Sequence, residues 1–266
     1  MFSVLSVQRE HAQTKSVAVI ICNAFFVLLC SGCFAENNHC PPFATTEKVT
    51  IKTVVDGDTV HLNDGRKVRL LGINAPELGR NGKPDQAYAR QATLALREFL
   101  GSGGGLLYDQ DRRDNHGRTL AHLYNSKGQS AEAYLLRSGL AWHVAIPPNL
   151  SLASCLKSAE QQARHRKLGL WQQQRITQAS KVAQGGFQRI SGELNNIQFG
   201  KRGWWLDFGP QLSVVIYPEH QHRFNRQHLS QLQGQTITLR GWVYRSKNPK
   251  YQPWRIKLET PYGLEN

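Results

Sequence analysis

The sequence predicts an α+β chain, mainly β, laid out as two small β-barrels in series, the first with helices packed against it. Three observations carry this prediction. Short runs of β-branched and apolar residues, joined by Asp-Gly turns, fill residues 48–73, and strand-like runs return after residue 187. The longest segments with helical spacing lie between these two parts. A polar, aperiodic stretch ending in Gly185-Gly186 separates the halves. At 266 residues the chain is long enough for both.

The elements follow in order. Arg9 and Lys15 precede "SVAVIICNAFFVLLCSGCFA", an apolar run that closes on small residues before the polar "ENNHC". This reads as an export signal over residues 1–35, cleaved after Ala35, so that the protein is periplasmic or secreted. Retention as an uncleaved membrane anchor, or lipid attachment at Cys33, is the alternative. Residues 36–46 form an N-terminal extension. "VTIKTVV", "DTVHL" and "RKVRLLGI" then make a three-stranded meander, with "NDGR" as the second Asp-Gly turn. "PDQAYARQATLALREFLGS" is a helix that stops on glycine.

The "GGG" that follows reads as a turn, and "LLYDQD" and "TLAHLYN" as strands flanking the loop "RRDNHG". "SAEAYLLRSG" is a helix capped by Ser130 and ended by Gly139. "SLASCLKSAEQQARHRKLGLW" is a long basic helix whose Leu152, Leu156, Ala159 and Ala163 share a face. Three strands, a helix, two strands and two helices fit a closed oligonucleotide-binding-type barrel over residues 47–171. Residues 172–186 read as a linker. Residues 187–262 hold five strand-like runs and a short helix at "RQHLSQLQG", which suggests a second barrel of the same type. Its tryptophans read mainly as core packing, with base stacking as the competing role.

Charge and cysteines narrow the setting. With 33 Lys+Arg against 19 Asp+Glu the net charge is +14, which attracts phosphate backbones or anionic lipid. Cys22, Cys30 and Cys33 belong to the leader, so cleavage leaves Cys40 and Cys155, an even pair that an oxidising compartment favours as a disulfide. No Ser-His-Asp signature, P-loop or dinucleotide fingerprint is present. Glu219, His220, His222 and His228 lack a zinc-site spacing and read as a polar loop.

The chemistry gathers in the meander. "VVDGDTVHL" places Asp56 and Asp58 around Gly57 at the end of the first strand, while Arg69 lies on the third and "GINAPE" ends it with Asn74 and Glu77. A hairpin brings these ends together. Oxygen donors without His or Cys suit Ca²⁺ or Mg²⁺ rather than zinc. A cation held by carboxylates and flanked by arginine is the arrangement that attack on a phosphodiester requires. Arg118, in "DNHGR", is a second candidate guanidinium on a loop that could swing to the same tip.

Taken together, "VVDGDTVHL", "RKVRLLGINAPE", "DNHGRTLAHLY", "EAYLLRSGLAW" and "ARHRKLGLW" closely resemble the staphylococcal nuclease (thermonuclease) family, in order and spacing, over roughly Lys48 to Trp171. The resemblance implies an oligonucleotide-binding-type nuclease barrel with three helices. It implies a Ca²⁺-dependent enzyme that cuts DNA and RNA to 3′-phosphate products. It makes Asp58 a direct metal ligand and Asp56 a neighbour acting through water. Asn74 and the Ala75 carbonyl complete the metal set, Glu77 is the general base or water-orienting group, and Arg69 and Arg118 bind phosphate.

Two departures stand out. Asn74 replaces an aspartate and removes one negative charge from the metal site, which lowers calcium affinity or alters selectivity. The family's nucleotide-flanking tyrosines are missing, and Asn115-His116 replaces a Lys-Tyr pair. Lys83, His116 and Trp142 become the candidates for nucleic-acid contact, with His143 beside Trp142. The competing reading is a nucleic-acid-binding protein on a weakened nuclease domain. No protein partner is implied, and the chain is expected to be a monomer.

Overall fold

The Asp-Gly turn at 56–58 is the first folding decision, because it lets an apolar strand double back on its neighbour. In the computed structural model, which describes residues 40–173, 175–248 and 250–265, that turn joins β1 (Glu47–Asp56) to β2 (Thr59–Leu62). The expected export signal at 1–35 lies outside the described residues. β3 (Lys67–Leu70) follows through the second Asp-Gly turn, where Gly65 takes φ +90°. β4 (Ile73–Asn74) carries the chain towards α1 (Ala89–Leu100).

Next come β5 (Gly103–Leu107), β6 (Thr119–Asn125), α2 (Ala131–Arg137), β7 (Trp142–His143) and α3 (Ala153–Arg166). The strands β1-β2-β3-β6-β5 close into a barrel, with β3 and β6 parallel and β5 returning to β1. β4 and β7 form a separate antiparallel pair in which Asn74 faces Trp142. Ser130 caps α2 by accepting the Ala133 N–H at 3.1 Å. The expected α3 face points inward, with Leu156, Ala159 and Ala163 fully or almost fully buried.

The glycines at 103–105 are not a turn: they form most of β5. The reason is closeness. A Cβ on Gly103 would stand 2.5 Å from the Val49 carbonyl oxygen, and one on Gly104 would collide with the Tyr124 carbonyl. Only glycine lets β1 and β6 approach β5 this tightly.

The stretch expected as a linker carries β8 (Thr177–Gln178), and Ala179 and Val182 from it are buried. Then follow β9 (Gly186–Glu193), β10 (Asn196–Gly200), β11 (Gly203–Asp207) and β12 (Leu212–Ile216). Two short helices, α4 (Pro218–Gln221) and α5 (Arg226–Gln231), precede β13 (Thr236–Arg245), β14 (Trp254–Lys257) and β15 (Leu264–Glu265). Expected as a second small barrel, these strands form one sheet in the order β10-β11-β12-β14-β13-β9-β8, with β15 on β13. Its inner face buries Ile190, Leu206, Val214, Leu239 and Ile256 in a core of its own.

The two halves belong to one compact unit. Cys40 is joined to Cys155 on α3 by a disulfide spanning 115 residues, which ties the start of the barrel to its last helix. A buried charge cluster joins the halves. Arg240 on β13 donates to Glu160 on α3 at 2.6 Å, and Glu160 also accepts the His143 N–H at 2.8 Å. Arg240 Nε lies 2.8 Å from Glu265, off the hydrogen-bond axis, so that contact is an ion pair only. Arg189 binds Glu265 through both carboxylate oxygens at 2.8 and 2.5 Å. These guanidinium groups hold Glu265 below its ordinary range against the opposing effect of burial. The Arg189 guanidinium also lies 5.3 Å from the Trp142 ring centre and 4.6 Å from that of Trp171.

Candidate active site

The site is built where β1 ends. Asp56 closes the strand, Gly57 turns the chain and Asp58 begins the return, so both carboxylates stand beside one another. The Asp58 N–H donates to Asp56 Oδ1 at 3.2 Å, and the Ala75 N–H donates to Asp58 Oδ2 at 2.7 Å. The turn packs flush against its surroundings. A Cβ on Gly57 would stand 2.6 Å from Ala75 Cβ and 2.7 Å from Ala92 Cβ on α1. Three small residues therefore set the depth of the acid turn.

Both acids are buried, at 5% exposure for Asp56 and 2% for Asp58. Burial pushes the Asp58 carboxyl up to about 7, with Asp56 and Glu77 adding repulsion, while Arg69 and the Ala75 N–H oppose the rise. Arg69 reaches Asp58 Oδ2 at 3.0 Å through Nη2, which also makes a long 3.5 Å contact with Asn74 Oδ1. Its Nη1 donates to the Leu70 and Ile73 carbonyls at 3.0 and 3.1 Å. The guanidinium is thus fixed between the acid turn and β4. Strand register places it there, because Arg69 pairs with Thr59 across the β2-β3 hairpin.

The expected residues divide into two groups. Asp56, Asp58, Arg69, Asn74 and Ala75 come together at the barrel tip. Glu77 follows on the loop after β4, exposed to solvent. Its backbone is held by Gln86, which accepts the Glu77 N–H at 3.1 Å and donates to its carbonyl at 3.0 Å. Arg118 is engaged by Asp114 instead: its Nε donates to that carboxylate at 2.7 Å and its N–H at 2.9 Å. Asp114 shapes this loop, accepting the His116 N–H as well.

Lys83 and His116 are exposed on loops. The Trp142 ring meets the Trp171 ring edge-on at 4.9 Å and lies near Arg189, so it is engaged in the packing between the halves. His143 is buried beside it and is pushed down to about 3 by burial and by the nearby Arg240 and Lys157. Sequence reasoning missed Arg80, whose exposed guanidinium lies 3.5 Å from Asp56 Oδ2. The basic loop "GRNGKP" following Glu77 was the available signal.

The donor set can be tested against a cation. Among the described residues no three His, Cys, Asp or Glu side chains form a metal-holding group. What converges instead is two buried carboxylates and an amide oxygen, with positive charge from Arg69 and Arg80 offsetting the acids. Hard oxygen donors of this kind fit Ca²⁺ or Mg²⁺.

Comparison with known proteins finds nuclease relatives for the barrel. A family model described as "Staphylococcal nuclease homologue" matches residues 67–173, which include Arg69, Asn74, Glu77 and Arg118 and begin after the acid turn. A thermonuclease of Staphylococcus intermedius is 31% identical over 130 residues, 47% of this chain and 77% of that protein. A thermonuclease of Staphylococcus hyicus is 30% identical over 132 residues, 48% of this chain and 78% of that protein. The SPbeta prophage-derived endonuclease YokF of Bacillus subtilis (strain 168) is 36% identical over 129 residues, 46% of this chain and 43% of that protein.

Proposed function

The chain belongs to the staphylococcal nuclease family, and from that premise we propose that it is an exported, Ca²⁺-dependent nuclease that hydrolyses phosphodiester bonds of DNA and RNA to 3′-phosphate products. The observation that carries this reading is the buried Asp56-Asp58 pair with Arg69 fixed at 3.0 Å from Asp58. Two desolvated carboxylates this close repel each other unless positive charge is supplied.

Asp58, Asp56, the Asn74 amide oxygen and the Ala75 carbonyl are the groups that would hold the cation. Once bound, the cation supplies charge neutralisation at the phosphate and orients water. Arg69, braced by two backbone carbonyls, offers its guanidinium to a phosphate oxygen as negative charge builds on phosphorus. Glu77, exposed on a loop tied at both backbone groups to Gln86, would take a proton from the attacking water. Arg118 must exchange Asp114 for a phosphate to join them. Export is supported by the leader composition and by the Cys40–Cys155 disulfide, a bond that persists in oxidising compartments.

The test is digestion of single- and double-stranded DNA and of RNA with Ca²⁺, Mg²⁺ or chelator, comparing the unmutated protein with Asp58→Ala and Glu77→Gln. Calcium-dependent cutting that both variants lose is expected, and product ends that carry a 3′-phosphate. Tight, salt-sensitive binding without cutting would replace the enzyme by the nucleic-acid-binding reading, which Asn74 favours by withdrawing one charge. N-terminal sequencing of the extracytoplasmic protein should begin at Glu36.

A further inference from the structure

The C-terminal sheet has an outer face that its own core does not use. Strand register places Trp205, Val215, Ser213, Arg255 and Tyr244 on it, running across β11, β12, β14 and β13. Trp242, two residues from Tyr244, continues the stripe to Phe187 on β9, with the two rings edge-on at 5.1 Å. Trp204 and Trp254 instead pack on the core, so the tryptophans divide between two jobs. Trp242, Tyr244 and Tyr251 are exposed by 42%, 39% and 50%, an unusual amount of aromatic surface to leave in water.

At one end of the stripe the surface deepens into a cleft of about 800 Å³. Trp205 and Tyr251 stand parallel there, with ring centres 5.8 Å apart, and the Arg255 guanidinium covers both at 4.9 and 4.4 Å. Lys201 and Arg202, on the β10-β11 turn, form the rim. The floor holds Ser213, only 3% exposed, whose hydroxyl has no partner. Arg255 Nε and Nη2 are likewise buried without partners. These buried donors beside an open cleft leave hydrogen-bonding capacity that a polar ligand can satisfy.

We infer that this face binds single-stranded nucleic acid, with bases stacked on Tyr251, Trp205 and Trp242 and phosphates drawn to Lys201, Arg202 and Arg255. Charge complementarity selects the occupant: residues 187–265 contain eleven Lys and Arg against five Asp and Glu. Exposed rings interleaved with arginine and lysine suit unstacked bases, which any sequence can present. Amide side chains at Asn196, Gln198 and Gln252 line the cleft and can meet base edges. From β11 to β9 the stripe crosses four strand spacings, roughly 19 Å at about 4.8 Å each, room for several nucleotides. Duplex DNA cannot offer its bases to such a surface. The inference does not depend on the nuclease reading, because the face lies on a different sheet from the acid turn.

The experiment is fluorescence anisotropy of a 5′-fluorescein-labelled 15-mer of thymidylate in EDTA, titrated with the full chain carrying Glu77→Gln. Tyr251→Ala and Trp242→Ala, both at exposed positions, should each raise Kd roughly ten-fold, within the range for a lost base stack. The pair Lys201→Glu and Arg202→Glu should flatten the dependence of Kd on salt. An unchanged Kd in all three variants would overturn the inference. Binding through Tyr251 and Trp242 with no cutting would remove the nuclease reading alone, and cutting with no shift in Kd would remove this inference alone.

Discussion

Arg240→Met is the most informative single change outside the acid turn. Arg240 is buried at 7% exposure and serves two carboxylates, Glu160 at 2.6 Å and Glu265 at 2.8 Å. Methionine keeps much of the volume and removes the charge. Glu265 retains Arg189, so its loss is partial. Glu160 is left buried with the His143 N–H as its remaining hydrogen bond among the described residues. Breaking a buried pair from one side costs roughly 3–5 kcal/mol, and the retained Arg189 contact places this case near the lower end, about 3 kcal/mol. Guanidinium chloride unfolding followed by tryptophan fluorescence, with the disulfide intact, measures it. Adding Glu160→Leu removes the stranded charge and should recover at least half of the loss. A loss below about 1 kcal/mol, or no recovery in the double variant, would refute the idea that this cluster holds the halves together.

Three further outcomes follow from the same geometry. His143 is pushed down to about 3 in the fold, while an unfolded histidine titrates near 6.5. The unfolded chain therefore binds more protons between those values, so stability is full above about pH 6.5 and falls as pH drops towards 3, by at most about 5 kcal/mol. His143→Gln should flatten that slope in acid unfolding curves, although Arg240, Lys157 and Glu160 surround the ring or its backbone and remain. Opening the Cys40–Cys155 bond with reductant, or by Cys155→Ser, should lower stability by up to about 5 kcal/mol on the chain-entropy model, read as a fall in Tm. Gly57→Ala should cost roughly 1–3 kcal/mol through crowding against Ala75 and Ala92, and Ala92→Gly in the same chain should return part of it, measured by urea unfolding together with cleavage rate.

Much of this molecule was legible in the chain because its signals are local. Asp-Gly turns, the Ser130 cap and the inward face of α3 depend on neighbours within a few residues, and each is where local chemistry puts it. The acid turn, Arg69 and Asn74 were readable for the same reason, since one hairpin gathers them. The glycines of β5 were misread because a strand made of glycine announces itself only through what presses on it, here Val49 and Tyr124. The stretch 172–186 looked structureless because its elements are two or three residues long, too short for any period to show. Arg118 carries no sequence mark that would separate a phosphate ligand from a partner of Asp114 four residues away. The charge cluster was invisible for a further reason: Glu160, Arg189, Arg240 and Glu265 sit on four elements, and each alone looks like a solvent-facing charge.

That cluster bears on how such a chain can be divided or inherited. A barrel that matches its relatives over about half of this chain might be taken for a cassette, free to be cut out and carried elsewhere. Here the cut would run between Glu160 and Arg240 and strip the cover from Trp142 and Trp171. Exchange of the C-terminal sheet between relatives would therefore need a donor that brings two arginines and an acid at these positions. That acid is Glu265 on β15, so any change to this short strand reaches the joint between the halves directly.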